Sequence, residues 1–107
     1  MENYKKSFIK AETSISEAIR ILEQSVQICI VVDELERLLG TITDGDIRRG
    51  LLAAVPIDAP AKRIMNPVPR TASPTEKREH ILTIMTDLQL RHMPIVVPDT
   101  RVVGLIT

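Results

Sequence analysis

The sequence predicts an α/β (α+β) fold made of two copies of one βαββα unit, the second copy stopping before its last helix. Three observations carry this prediction. The segment ending in Gly40-Thr41-Ile42-Thr43 returns 64 residues later without a gap, so that Thr107 falls on Thr43, Gly104 on Gly40, Ile106 on Ile42, Arg101 on Arg37 and Val96 on Val32. Each copy is a pair of short apolar runs separated by a turn, as in a hairpin, with Val102 and Val103 falling on Leu38 and Leu39. Each copy is also preceded by an amphipathic helical pattern. A chain of 107 residues suits one compact domain or two very small halves that share a core. The expected units are residues 1–56 and 71–107, joined by a proline-rich connection over 57–70.

Taken in order, residues 6–10 read as a short strand, and Thr13-Ser14 open a helix. Ser14 as N-cap with Glu17 three residues on is a capping box, and Ile15, Ala18, Ile19 and Leu22 line one face. Ile28 to Val32 is almost continuously β-branched, as in a strand covered on both faces. Asp33 to Arg37 turn the chain, and Leu38 to Thr43 return antiparallel. A second helix is expected from about Asp44 to Ala54, with Ile47, Leu51 and Leu52 in the core and Arg48 and Arg49 outward. Pro56, Pro60, Pro67, Pro69 and Pro74 then forbid a long helix. Within that stretch Ala61 to Met65 suit one helical turn and Val68 to Thr71 a strand. Ser73-Pro74 read as N-cap and first residue of a third helix whose stripe is Ile81, Ile84, Met85 and Leu88. Pro94 to Val97 and Arg101 to Ile106 form the second hairpin.

Composition removes several functions. Lys plus Arg number 14 and Asp plus Glu number 14, so no positive excess is available to follow a nucleic-acid backbone. Tyr4 and Phe8 are the only aromatics, which leaves no platform for stacking bases. The apolar runs are strand-sized and far short of a bilayer span. Met1-Glu2-Asn3-Tyr4-Lys5-Lys6 does not lead into a signal-peptide core, and a soluble cytoplasmic protein is expected, with neither nucleic acid nor membrane as partner. Cys29 lies within Ile28-Cys29-Ile30-Val31-Val32 and reads as a buried apolar residue rather than a nucleophile. His80 and His92 stand apart, with no Cys or carboxylate at ligand spacing, so no metal is expected.

The chemistry concentrates in Gly40-Thr41-Ile42-Thr43-Asp44-Gly45-Asp46, followed by Ile47-Arg48-Arg49. Thr43 falls at a strand end and Asp46 in the first turn of the helix that follows. Free N–H groups at a helix start attract anions, and a carboxylate one turn in can accept hydrogen bonds from two vicinal sugar hydroxyls. The same Thr43-x-x-Asp46 spacing is a capping box, which needs no ligand. Both readings stand at this level. Asp44 and Asp46 also suggest a magnesium site for phosphoryl transfer, but no nearby lysine, Walker-type glycine loop or further acidic cluster completes one.

Because Thr107 corresponds to Thr43, the counterpart of Asp46 and a closing helix do not follow the second copy. The expectation is a piece of a longer polypeptide with one well-formed site around Thr43 and Asp46. Its uncovered apolar strand would be relieved by burial against another chain, as in a homodimer.

The strand pair Ile30-Val31-Val32-Asp33 and Leu38 to Thr43, the Gly-x-x-Thr-x-x-Asp signature, and Pro94-Ile95-Val96-Val97 with Gly104-Leu105-Ile106-Thr107 resemble a tandem pair of cystathionine β-synthase (CBS) domains, a Bateman module. The resemblance spans essentially the whole chain, with Ile30 standing where many such domains carry proline. The version Thr43 to Leu52 is similar to the pairs attached to sugar-nucleotide nucleotidyltransferases and, less closely, to those of sugar-phosphate isomerases. The resemblance implies two repeats in pseudo-two-fold symmetry and a non-catalytic regulatory role for an attached catalytic domain. It also implies an adenine nucleotide (AMP, ADP or ATP) or related ligand in the cleft between repeats, with no other cofactor. By the same carry-over Asp46 accepts the ribose hydroxyls, Thr43 contacts ribose or phosphate, and the backbone of Ile28, Cys29 and Ile30 flanks the base. Thr71, Ala72 and Ser73 match a stretch that lines the same cleft. Arg91 and His92 match positions that reach phosphate in some members, or else are solvated. Of Arg48 and Arg49, one neutralises a phosphate while the other pairs with Asp44 or faces water. A ligand-free dimerisation module is the alternative.

Overall fold

Two hairpins set 64 residues apart frame the molecule, and the computed structural model describes residues 3–107. Met1 and Glu2, which open the stretch read above as unlike a signal peptide, lie outside the described residues. Strands β2 (Cys29–Val32) and β3 (Leu38–Ile42) pair antiparallel, with Cys29 opposite Ile42 and Val31 opposite Gly40. Strands β4 (Met93–Val96) and β5 (Val102–Ile106) repeat that register, with Met93 opposite Ile106 and Ile95 opposite Gly104. The register even shifts at the same place, between Val31 and Val32 in one and between Ile95 and Val96 in the other. A two-residue strand β1 (Phe8–Ile9) adds parallel to β2, shorter than the expected 6–10 because Tyr4–Ser7 wind into a 3-10 turn.

The hairpins join each other through their turns. Leu38 N–H donates to the Thr100 carbonyl at 2.9 Å, and its counterpart Val102 N–H donates to the Glu36 carbonyl at 3.0 Å. Reciprocal bonds between equivalent residues are the mark of a two-fold relation. Glu36 and Thr100 both take positive φ, 64° and 73°, so the two turns share an unusual backbone as well as a position.

Helix α1 (Ile15–Gln24) starts where its sequence says, the Ser14 hydroxyl accepting from Glu17 N–H at 3.1 Å. Ile15, Ala18 and Leu22 pack on Cys29, Val31 and Ile42, forming the first core. A second core gathers Ala72, Ile81, Met85, Met93 and Ile95 under α3 (Arg78–Asp87). Between the repeats lies a third cluster of Ile30, Val32 and Val102. Alternate β2 residues thus serve two cores, and all four are buried, as expected of a strand covered on both faces.

Four expectations need correction. Helix α2 (Asp44–Leu52) buries Ile47 but leaves Leu51 52 % and Leu52 81 % exposed. Gly50 is buried instead: a Cβ there would lie 2.7 Å from Ile64 Cγ2, so the helix rests on the connection by its glycine and turns the leucines out. Val68 to Thr71 do not form a strand, and Val68 is exposed. The third strand of the second repeat shrinks to Ala72, whose N–H bonds the Pro94 carbonyl at 3.0 Å and whose carbonyl accepts from Val96 N–H at 2.8 Å, because Pro67 and Pro69 upstream have no N–H to give. Ala61–Arg63 make a 3-10 turn shorter than the expected helical one. Finally, Ser73 does not cap α3: its hydroxyl accepts from Thr75 N–H at 3.0 Å and its N–H donates to Glu76 Oε1 at 2.8 Å, closing a separate turn. The helix begins at Arg78 with Lys77 as N-cap.

Candidate functional site

A cavity of about 560 Å³ opens between the repeats. One side is the start of α2 with Thr41 and Thr43; the other is the connection from Asn66 to Arg70 and the segment leading into β4. Thr43 is the N-cap of α2, and its N–H donates to Asp46 Oδ2 at 2.9 Å while its hydroxyl donates to the same oxygen at 3.2 Å. The capping arrangement is therefore present, and it turns the carboxylate into the cavity wall. Arg49 donates to Asp46 Oδ1 at 2.7 Å, and Arg48 pairs with Asp44 at 3.2 Å. Which arginine pairs with Asp44, left open by the sequence, is settled in favour of Arg48.

The far wall ties the repeats together. The His92 ring N–H donates to the Val26 carbonyl at 2.6 Å, across 66 residues of sequence. His92 is half-buried by this bond rather than loose on the surface. Asn66 pairs with the edge of β3, its N–H on the Thr41 carbonyl at 2.8 Å and its carbonyl accepting from Thr41 N–H at 3.0 Å. Gly40 makes that approach possible. A Cβ at Gly40 would lie 2.6 Å from the Asn66 carbonyl oxygen and 2.8 Å from Met65 Sδ, whereas at the equivalent Gly104 nothing is nearer than Ile95 at 3.6 Å. The first glycine of the signature thus seats the connection that forms the cavity's floor.

Of the residues singled out in the sequence, Ile28, Thr43, Asp46, Arg48, Arg91 and His92 border this cavity. Cys29, Ile30, Thr71, Ala72 and Ser73 do not. Cys29 is wholly buried under α1, donating its thiol to the Ala18 carbonyl at 3.2 Å, and burial pushes that thiol up to about 12. Ile30 belongs to the core between repeats and Ala72 to the second core. Thr71 and Ser73 are half-buried beside Ala72, and the Ser73 hydroxyl is taken by its own turn. Sequence reasoning missed Thr41, Asn66, Arg70 and Gln89. For Asn66 and Arg70 the sequence offers no distinguishing signal, because the proline-rich run also carries Asp58, Lys62 and Arg63, which stay outside the cavity.

The wall is cationic. Arg48, Arg49, Arg70 and Arg91 stand against Asp44 and Asp46, and among the described residues Arg70 and Arg91 have no ion pair. Together with the N–H groups of the first turn of α2, this suits an anion. Among the described residues no group of three His, Cys, Asp or Glu stands close enough to hold a metal, and no helix is long and apolar enough to cross a membrane.

Two βαββ units related by a two-fold and enclosing a polar cleft define a tandem-repeat module. Residues 5–53 and 61–107 each match the CBS domain, and the chain belongs to that family. It is 31 % identical over 96 residues to uncharacterized protein RP505 of Rickettsia prowazekii (strain Madrid E), covering 89 % of this chain but only 30 % of that protein. Among solved structures, the CBS domain pair of protein MJ0100, in complex with 5-methylthioadenosine and S-adenosyl-L-methionine, is 31 % identical, with a TM-score of 0.76 over 92 % of this chain and 80 % of that one. CBS domain protein PAE2072 from Pyrobaculum aerophilum, complexed with AMP, is 19 % identical and shares the fold, with a TM-score of 0.81 over 100 % of this chain and 87 % of that one.

Proposed function

We propose that this chain is a non-catalytic regulatory CBS pair that binds an adenine nucleotide or related ligand in the cleft between its repeats. The observation that carries the reading is the cavity itself, bordered by Thr43, Asp46 and four arginines and built from both repeats. Asp46 accepts the ribose hydroxyls, Thr43 and the start of α2 lie toward the phosphate, and the backbone at Ile28 flanks the base. A ligand touching both repeats favours one disposition of the two over others, and an attached domain feels that preference. The adenosyl ligands in the MJ0100 pair, a relative of 31 % identity, support the base and sugar of this assignment.

The module belongs to a longer polypeptide, a reading supported by the length of RP505, of which the chain spans under a third, and a catalytic domain is proposed as its attached partner. A sugar-phosphate nucleotidyltransferase is the parent that the Thr43 to Leu52 version resembles. A cytoplasmic homodimer is proposed on the exposed apolar residues Leu39 and Val103, equivalent in the repeat and each 37 % exposed. The test is a thermal-shift panel of AMP, ADP, ATP, GTP, CTP and S-adenosylmethionine. At a hundredfold excess over its dissociation constant a ligand stabilises by about 2.7 kcal/mol, a shift of several degrees for a domain this size. A shift with an adenine compound supports the reading; no shift with any of the panel favours the ligand-free dimerisation module.

A further inference from the structure

We infer that Arg49 makes this site selective for nucleoside phosphates over uncharged or cationic adenosyl compounds, by covering the ribose acceptor until a phosphate draws it away. The inference rests on the adenine-ligand reading above and names the class of ligand within it. Asp46 has both carboxylate oxygens engaged inside the protein: Oδ2 by the N–H and hydroxyl of Thr43, Oδ1 by Arg49 Nη2 at 2.7 Å. The Asp46 side chain is 11 % exposed and that of Arg49 70 %, so the guanidinium is the outer cover of an otherwise enclosed carboxylate.

Gly45 lets the arginine fold back. A Cβ there would lie 3.3 Å from Arg49 Nη1, 3.6 Å from Nη2 and 3.8 Å from Cζ, so the planar group lies across the first turn of α2 in the space a side chain would take. Sugar hydroxyls approaching from the cavity meet Oδ2 held by the helix cap and Oδ1 under the guanidinium. Oδ2 already accepts two hydrogen bonds and Oδ1 one, so a single lone pair remains on Oδ1; two vicinal hydroxyls need a second acceptor site there, and Arg49 must swing aside to give it. The arginine loses a charge-assisted hydrogen bond when it moves, and a plain nucleoside offers nothing in return. A phosphate does offer something, because the released guanidinium then joins Arg48, Arg70 and Arg91 on a wall that is short of negative charge. S-adenosylmethionine, whose sulfonium and ammonium outweigh its one carboxylate, instead brings net positive charge to a wall where Arg70 and Arg91 stand without an ion pair among the described residues. The same carboxylate thus serves the ribose of either ligand, but only the phosphorylated one is compensated for uncovering it.

The test is isothermal titration of the whole chain with AMP, adenosine and S-adenosylmethionine, for the wild type, Arg49→Met and Arg49→Lys. Arg49 is exposed and packs in no core, so circular dichroism should show both variants folded. In the wild type AMP should bind at least about tenfold tighter than adenosine, the difference expected when a charge-assisted hydrogen bond is remade to the ligand rather than simply broken. Arg49→Met should strengthen adenosine binding and weaken AMP binding, so that the AMP preference falls by about tenfold, and Arg49→Lys should restore part of it. A preference unchanged within twofold, adenosine weakened in parallel with AMP, or a wild type that takes adenosine or S-adenosylmethionine as tightly as AMP would overturn the inference while leaving the adenine site standing. A wild type that binds none of these would instead remove the adenine-ligand reading, and this inference with it.

Discussion

Arg37 and Arg101, equivalent residues of the two repeats, face each other in an antiparallel bridge where the hairpin turns meet. Two like charges at a symmetry axis would repel, and each is answered within its own turn. Arg37 Nε donates to Asp33 Oδ2 at 2.7 Å, and Arg101 Nε donates to Asp99 Oδ2 at 3.2 Å. The contact where the two hairpin turns meet is therefore neutralised by two carboxylates.

Those carboxylates give the junction an acid limit. Backbone hydrogen bonding from Arg37 and from Arg101 is the main cause that holds Asp33 and Asp99 below the ordinary carboxylate value, with their guanidinium groups adding to it. A group whose folded value is depressed contributes stability above its unfolded value and loses it as pH falls through the folded one. Thermal midpoints should therefore hold above pH 3.8 and fall below it, and the double variant Asp33→Asn, Asp99→Asn should flatten that decline. Scanning calorimetry from the neutral range down through the acid limb measures it, and a limb unchanged in the variant would refute the assignment.

The two signature glycines should differ in tolerance although they are equivalent by repeat. Gly40→Ala drives a methyl group against the Asn66 carbonyl and should cost about 1–3 kcal/mol, the usual range for overpacking. Gly104→Ala meets only Ile95 at van der Waals distance and should stay within about 0.5 kcal/mol of wild type. Urea midpoints of the two variants decide this.

Cys29 should be inert in the folded chain. With its thiol pushed up to about 12 by burial, almost none is thiolate near neutral pH, and the side chain lies under α1. Iodoacetamide labelling should proceed only in denaturant. Rapid labelling of native protein would show that α1 opens from the sheet.

Asp46 separates capping from binding. Asp46→Ala removes the acceptor for Thr43 N–H and should cost about 1 kcal/mol of stability. If the carboxylate also holds ribose, the same change should weaken an adenine nucleotide roughly ten- to hundredfold. A loss of stability with unchanged affinity would leave Asp46 as a cap alone.

How much of this is legible in the sequence follows from where each interaction is made. Hairpin pairing, bulge and turn recur at a fixed offset, so comparing Val32 with Val96 and Gly40 with Gly104 locates both sheets from the residues alone. The Ser14 cap is local, and so is readable. Ser73 looks equally local but bonds within its own turn, because the repeat places the start of the third helix at Arg78, the counterpart of Ser14. Leu51 and Leu52 mislead because Gly50, not a large apolar residue, meets Ile64. At the site, Thr43 and Asp46 announce themselves by spacing, but Asn66 reaches the cavity by pairing with Thr41 of β3, and Arg70 follows four residues on, a tertiary fact that a proline-rich run does not display. For the same reason Cys29 and Ile30 lie inside the sheet's two cores while their neighbour Ile28 borders the cleft.

The most direct measurement of a ligand held between the repeats is an amide-resolved NMR titration of the chain with AMP. Saturable shifts at Thr43, Gly45 and Asp46 from the first repeat, together with Asn66, Arg91 and His92 from the connection and the second, are the expected result. Shifts confined to one repeat, or none that saturate, would contradict it.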